Sequence, residues 1–235
     1  MYKKISLIVV SAGKGVRFDD EIPKQYCKFK NQKTILEYTL EKFIRLDCFS
    51  EYLVVINKAH LQFYEKFVKK SVRKYYKIIF GGKERKDSVY NALVNCSKNT
   101  NIVIIHDGVR PFFSKELVLK VINNTLKYDA CVPVLPLRDT IKKVKNGFVE
   151  KTIPRDELFA VQTPQGFNYK KLLSAYEKWK HLNLTDEAWF FEKENLPVKI
   201  IKGELNNIKI TYKEDMIFGE YLYEKSKLSP GRDRI

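Results

Sequence analysis

Long apolar runs are missing from this 235-residue sequence, and none approaches the ~20 residues that a helix needs to cross a bilayer. A helical membrane protein is therefore not expected. Cysteine is scarce: Cys27, Cys48, Cys96 and Cys131 form no CxxC pair. They read as small buried hydrophobes, not as a disulfide framework or a zinc site. The histidines, His60, His106 and His181, show neither H-x₃-H nor HExxH spacing, so a structural metal is not expected. Internal repeats and low-complexity linkers are absent too, which favours one domain over residues 1–226, with 227–235 as a disordered tail. The segment Met1–Val10 superficially resembles a secretory leader. Its apolar run is short, however, and Ser11-Ala12-Gly13-Lys14-Gly15 offers no believable cleavage site. It reads as a buried first strand of a cytoplasmic protein.

What the sequence has in excess is positive charge. Forty-four Lys and Arg stand against 28 Asp and Glu, a net charge of +16. Such a balance favours anionic partners, whether nucleic acid, a membrane surface or phosphorylated small molecules. The surplus is spread along the chain in short runs such as Lys69-Lys70 and Lys142-Lys143. A lysine-rich solvated surface explains it equally well, so charge decides nothing alone.

The apolar pattern is that of an α/β protein. Leu7–Val10, Tyr52–Ile56, Lys77–Phe80, Ile102–Ile105, Ala130–Val134 and Val198–Ile201 are short continuous runs, as in strands buried on both faces. Between them lie stretches of helical period at Thr34–Leu46, Lys58–Lys70, Ser88–Cys96, Lys115–Leu126 and Lys170–Lys180. Ser88 and Ser114 are plausible N-caps. This alternation predicts a Rossmann-like, doubly wound and mostly parallel sheet, with ligands at the carboxyl ends of its strands. Residues 139–153 depart from it. Asn146-Gly147 between β-branched residues is a strong hairpin signal. A lone hairpin is marginal in water, so this arm must lie on a symmetry-related subunit or on its own domain.

Chemistry can be placed at the strand ends. Ser11-Ala12-Gly13-Lys14-Gly15 lets backbone N–H groups approach a phosphate. The dinucleotide fingerprint fails, because Phe18 stands where a third glycine belongs. Basic residues follow (Lys14, Arg17, Lys24), and fixed cations suit a triphosphate better than a dinucleotide's bridge. Gly81-Gly82 could admit the edge of a base, with Ser88 bonding it, or could be a plain turn before a capped helix. Ile102–Ile105 runs into His106-Asp107, and a carboxylate at a strand's end is where such folds place a Mg²⁺ ligand.

Taken in order, the motifs G-x-G-x-R (13–17), P-K-Q (23–25), G-G-x-E-R-x-D-S-V (81–89) and H-D-x-x-R-P (106–111) are followed by four more. These are D-T-I-K (139–142), Q-T-P-Q (162–165), T-D-E (185–187) and N-I-K-I-T (207–211). Together they resemble the 2-C-methyl-D-erythritol 4-phosphate cytidylyltransferases of the non-mevalonate isoprenoid pathway, over about residues 5–222. The resemblance implies transfer of CMP from CTP to a sugar-alcohol phosphate, with Mg²⁺ as cofactor. Arg17 and Lys24 would bind the triphosphate. Ser11, Ala12, Gly13, Gly15, Gly82, Arg85 and Ser88 would surround the nucleotide, with Asp107 touching ribose and Mg²⁺. Thr140, Arg155, Thr163 and Lys209 would hold the acceptor's phosphate. Thr140 and Arg155 lie on the arm (139–159), which in this family reaches across a homodimer.

The chain departs from the family pattern at Val10, Phe18 and Gly108-Val109. Val109 is closer to the related ribitol-5-phosphate cytidylyltransferases, which leaves ribitol 5-phosphate as the alternative acceptor. The acceptor phosphate is already anionic, so no general base is required. Catalysis is expected to rest on positioning and charge neutralisation. A non-catalytic RNA-binding protein would use the charge, but no RRM, KH or OB signature appears. Nucleic acid is accordingly not an expected partner.

Overall fold

In the computed structural model, residues 3–13, 22–182 and 185–228 are described. Eight strands among them form one sheet: β1 (Ile5–Ser11), β2 (Glu51–Ile56), β3 (Lys77–Phe80), β4 (Ile102–Asp107), β5 (Ala130–Pro136), β8 (Phe159–Val161), β9 (Gln165–Asn168) and β10 (Lys199–Lys202). Their spatial order is β10-β5-β9-β4-β1-β2-β3, with β8 added to β5. Neighbours are parallel except at β9, which is antiparallel to both β4 and β5, and at β8. The expected mostly parallel sheet is present.

The sheet buries both faces. Along β1, Leu7 and Val9 join one core cluster while Ile8 joins the other, and β4 divides likewise between Ile104 and Val103. Alternation along a strand sends successive side chains to opposite faces. Both faces are apolar here, so the strands read as continuous hydrophobic runs. Helices α1 (Ile35–Ile44), α4 (Arg85–Leu93), α5 (Lys115–Tyr128) and α6 (Tyr169–Trp179) supply much of the covering. The remaining helices are α2 (Leu61–Phe67), α3 (Lys70–Arg73), α7 (Ala188–Lys193) and α8 (Glu214–Leu228). Phe29, Phe112 and Tyr223 form a third cluster beneath α8.

Several elements correct the sequence reading. Lys58–Lys70 is not one helix. A 3-10 turn at Lys58–His60, α2 and α3 follow one another, with Val68 extended between the last two. Ser114 caps α5, its Oγ accepting the Leu117 N–H at 3.0 Å. Ser88 does not cap α4: Glu84 does, and Asp87 closes a capping box by accepting the Glu84 N–H at 3.0 Å. Helix α8 continues through Lys227 and Leu228, and Lys227 Nζ donates to Gln32 Oε1 at 2.7 Å. The tail therefore does not begin at 227, and 229–235 lie outside the described residues.

The arm forms as expected. Strands β6 (Ile141–Lys145) and β7 (Phe148–Ile153) pair antiparallel around Asn146 and Gly147, both with positive φ as a two-residue hairpin turn requires. Its apolar residues face outwards, Phe148 being 80% exposed and Val149 62%. Phe159, taken as the arm's last residue, already belongs to β8 in the main sheet.

Candidate functional site

Chain order runs outward from β1 through β2 to β3, then returns to β4 on the other side of β1. The loops leaving β1 and β4 must part there, and the crevice between them is where doubly wound folds take ligands. Val10 pairs with Asp107 at this edge, so the Ser11-Ala12-Gly13 turn and the Asp107 carboxylate face one space. A cavity of about 460 Å³ occupies it. Its lining includes Ser11, Ala12, Gly13, Lys24, Gly82, Arg85, Ser88, Asp107 and Lys209, all expected nucleotide- or acceptor-site residues. Gly15 and Arg17 lie outside the described residues.

Small residues make this cavity possible. A Cβ on Gly81 would stand 2.4 Å from Ala12 Cβ and 2.7 Å from Ser88 Oγ, so only glycine lets the loop before α4 close on the turn after β1. Gln25, which sequence reasoning left out of the site, is buried and donates from Nε2 to the carbonyls of Ser11 and Gly13, each at 3.1 Å. Its signal was its place in the P-K-Q motif. Ser88 Oγ donates to the Glu84 carbonyl at 3.0 Å and accepts the Gly82 N–H at 3.2 Å, so it shapes the loop from within.

A second cavity of about 790 Å³ adjoins the first and shares Arg85, Asp107 and Lys209 with it. Thr163, Gln165, Thr185, Asp186 and Glu157 also line it. Thr140 and Arg155 line neither cavity of their own chain. They stand on the exposed arm, where Arg155 Nη1 donates to the Arg138 carbonyl.

At the shared wall, three cations meet two carboxylates. Asp107 Oδ2 is 2.9 Å from Lys209 Nζ and 3.4 Å from Arg110 Nε, while Oδ1 is 3.5 Å from Arg85 Nε. Burial works to raise the Asp107 pKa, but Arg85, Lys209 and Arg110 outweigh it and hold the carboxyl well below the usual range. Arg85 Nη1 also donates to both oxygens of the fully buried Glu187, at 2.7 and 2.8 Å, and Tyr176 OH donates to Glu187 at 3.1 Å. Burial pushes the Glu187 carboxyl upwards and Arg85 opposes it. Both oxygens are held by a permanently charged guanidinium, so the pair is ionic. Arg85 was expected on the nucleotide. Its guanidinium lies on the wall of the first cavity and at the same time pairs with Asp107 at the end of β4 and Glu187 before α7. Arg110 and Glu187 were visible only as letters in their motifs, because what they pair with is set by tertiary structure.

Among the described residues there is no group of three or more His, Cys, Asp or Glu that could hold a metal ion by itself. Mg²⁺ commonly needs only one or two carboxylates when substrate phosphates complete its shell. Asp107, an ionised carboxylate on the wall shared by both cavities, fits that more limited part.

Residues 5–225 match the family model described as 2-C-methyl-D-erythritol 4-phosphate cytidylyltransferase (IspD). The chain belongs to this family. Among its relatives, the 2-C-methyl-D-erythritol 4-phosphate cytidylyltransferase of Clostridium botulinum (strain ATCC 19397 / Type A) is 42% identical over 226 residues, covering 94% of this chain and 98% of the relative. The crystal structure of the Francisella tularensis IspD superposes with a TM-score of 0.81 at 30% identity, covering 94% of this chain and all of that one. The 4-diphosphocytidyl-2C-methyl-D-erythritol synthase from Anaerococcus prevotii gives 0.79 at 31%, covering 94% and 96%. Both likenesses carry the Rossmann-like arrangement as well as the family. Among the described residues, no helix is long and apolar enough to cross a membrane.

Proposed function

We infer that this chain transfers CMP from CTP to 2-C-methyl-D-erythritol 4-phosphate, yielding 4-diphosphocytidyl-2-C-methyl-D-erythritol and pyrophosphate for isoprenoid precursor synthesis. The observation that carries the reading is the shared wall. A small cavity built for a nucleotide and a larger one beside it have Arg85, Asp107 and Lys209 in common, so two bound substrates would meet there.

The chemistry follows from charge. An oxygen of the acceptor's phosphate attacks the α-phosphorus, a new P–O bond forms, and the bond to the β-phosphate oxygen breaks, releasing pyrophosphate. The attacking group is already an anion, so what it needs is neutralisation and alignment. Lys24, with Arg17, stabilises the triphosphate and the departing pyrophosphate. Lys209 lines both cavities and is 39% exposed at its side chain, which suits it to align the incoming phosphate. Mg²⁺ bound by Asp107 and the phosphates would supply further neutralisation. The cytoplasm, where CTP is made, is the expected compartment.

The exposed apolar arm supports a homodimer in which Thr140 and Arg155 complete the acceptor site of the neighbouring subunit. Such a crossing would place both residues beside a cavity, which they do not reach in their own chain. Ribitol 5-phosphate, the alternative acceptor, was suggested by Val109. That residue lines the nucleotide cavity and packs beneath α8, away from the acceptor side, so it favours neither acceptor. The test is pyrophosphate release from CTP with each acceptor in turn. Turnover is expected with methylerythritol phosphate, and a clear preference for ribitol 5-phosphate would overturn the assignment.

A further inference from the structure

Thr163 came out of the sequence as a ligand of the acceptor phosphate and it lines the second cavity, yet the residue is only 4% exposed and its hydroxyl is already engaged. The direction of each bond follows from its partner. His106 Nε2 lies 2.9 Å from the Arg110 carbonyl, which can only accept, so Nε2 carries the ring proton. The ring is fully buried and packed against Phe43 and Phe113, an environment that keeps it neutral. Nδ1 therefore presents a lone pair, and Thr163 Oγ1, 3.1 Å away, gives its proton to it. The same oxygen accepts the Asp107 N–H at 3.0 Å. One proton and one lone pair are spent inside the protein. A phosphate dianion, which only accepts, could recruit this hydroxyl only by breaking its bond to His106.

The bonds continue into a closed ring. Asn207 Nδ2 donates to the Thr163 carbonyl at 2.8 Å, Arg110 Nη1 donates to the Asn207 carbonyl at 3.0 Å, and Arg110 Nε reaches the Asp107 carboxylate at 3.4 Å. The ring leaves Asp107 at its backbone and returns at its side chain. Strand β4 ends at Asp107, so without the ring this residue's main chain would lose a partner just where the two cavities meet. We propose that Thr163 is a positioning residue that fixes Asp107, acting through His106 and Asn207, and does not bind the acceptor phosphate. The proposal rests on the cytidylyltransferase reading above.

Steady-state kinetics in both substrates separate the roles. Thr163→Val is expected to lower kcat and weaken CTP binding by about ten-fold each, because buried partners are left unpaired around Asp107. Its acceptor KM should change less than its CTP affinity, moving only through Lys209, which pairs with Asp107 at 2.9 Å, because the hydroxyl removed does not itself bind the phosphate. Thr163→Ser, which restores the hydroxyl, should return both quantities towards wild type. If Thr163→Val does not fold, Thr163→Ala removes the same hydroxyl with less bulk and is read by the same split. A rise in acceptor KM with kcat and CTP affinity intact would overturn the proposal, and so would a variant unchanged in all three. CTP affinity is measured by titration calorimetry without acceptor. Failure of the functional reading therefore shows as an inactive wild type, whereas failure of this inference shows as wild-type CTP affinity in Thr163→Val.

Discussion

The cavity between β1 and α4 is bounded by Ser11, Ala12, Gly13 and Gly82, whereas its neighbour beneath β8 and α7 is bounded by Arg110, Glu157, Asp186 and Glu192. One has, beside charged residues such as Lys24, Arg85 and Asp107, a stretch of wall with little or no side chain, so the main chain itself can approach the ligand there. The other is lined by larger side chains that arrive from distant segments, charged ones such as Arg110 and Asp186 together with apolar ones such as Val132, Phe159, Trp189 and Ile200. The first kind of site is written locally, as glycines and small residues at a strand end. The second kind exists only after the chain has folded, and its members are individually unremarkable.

The comparison predicts where substitutions will register. The largest effect belongs to the cations that line the first cavity. Lys24→Ala should lower kcat by ~10²–10³, the usual loss when a donor aimed at transition-state charge is removed. Near-normal kcat at saturating Mg²⁺ would remove Lys24 from the triphosphate site. Next comes the second cavity. Arg155→Ala should raise the acceptor KM by at least about ten-fold and leave CTP binding nearly intact, as expected of a lost charge-assisted contact. Mixing that variant with Lys24→Ala subunits should restore activity towards one intact site in two, because the proposed crossing of the arm draws the two residues of one site from different chains. Verified subunit exchange with no recovery would show that Arg155 acts within its own subunit.

A smaller effect is expected in the cavity built by the main chain. Gly81→Ala places a methyl 2.4 Å from Ala12 Cβ and should raise the KM for CTP about ten-fold, in keeping with an overpacking cost of ~1–3 kcal/mol. The acceptor KM should barely move, and equal changes in both would mean that the cavities are not separable. The last prediction concerns His106, beneath the shared wall, whose pKa burial lowers to about 3. The unfolded chain takes up this proton below about pH 6.5, whereas the folded protein does not until much lower. Stability from this residue is therefore full above that value and falls by ~1.4 kcal/mol per pH unit between the two pKa values. A urea midpoint that is lower at pH 5 than at pH 7 is expected, and equal midpoints would contradict a buried neutral imidazole.

Legibility in the sequence followed the same division. The strands at Leu7–Val10, Tyr52–Ile56 and Ile102–Ile105 were readable because each is buried on both faces and so is continuously apolar. The arm was readable because Asn-Gly fixes a turn with purely local chemistry. Strand β9, Gln-Gly-Phe-Asn, was not: four residues with a single large hydrophobe carry no period. Ser88 looked like a cap because serine favours that position, but Glu84 and Asp87 together satisfy the same backbone groups. The site's small residues were legible by spacing. That Arg85 would face Glu187, 102 residues away, was not.

Strand β9 carries a consequence for the order of assembly. It fills the gap between β4 and β5, and its residues Gly166 and Phe167 pair with both. Everything from β5 through the arm is synthesised before it. A nascent chain that stops short of Gln165 therefore leaves two apolar strands with facing edges unpaired, and such edges invite pairing with other chains. The ring around Asp107 includes Thr163 and Asn207, so it cannot close until this late strand has docked. Catalytic competence would thus wait for this strand, and a chain that lacks it is the form most exposed to pairing with other chains.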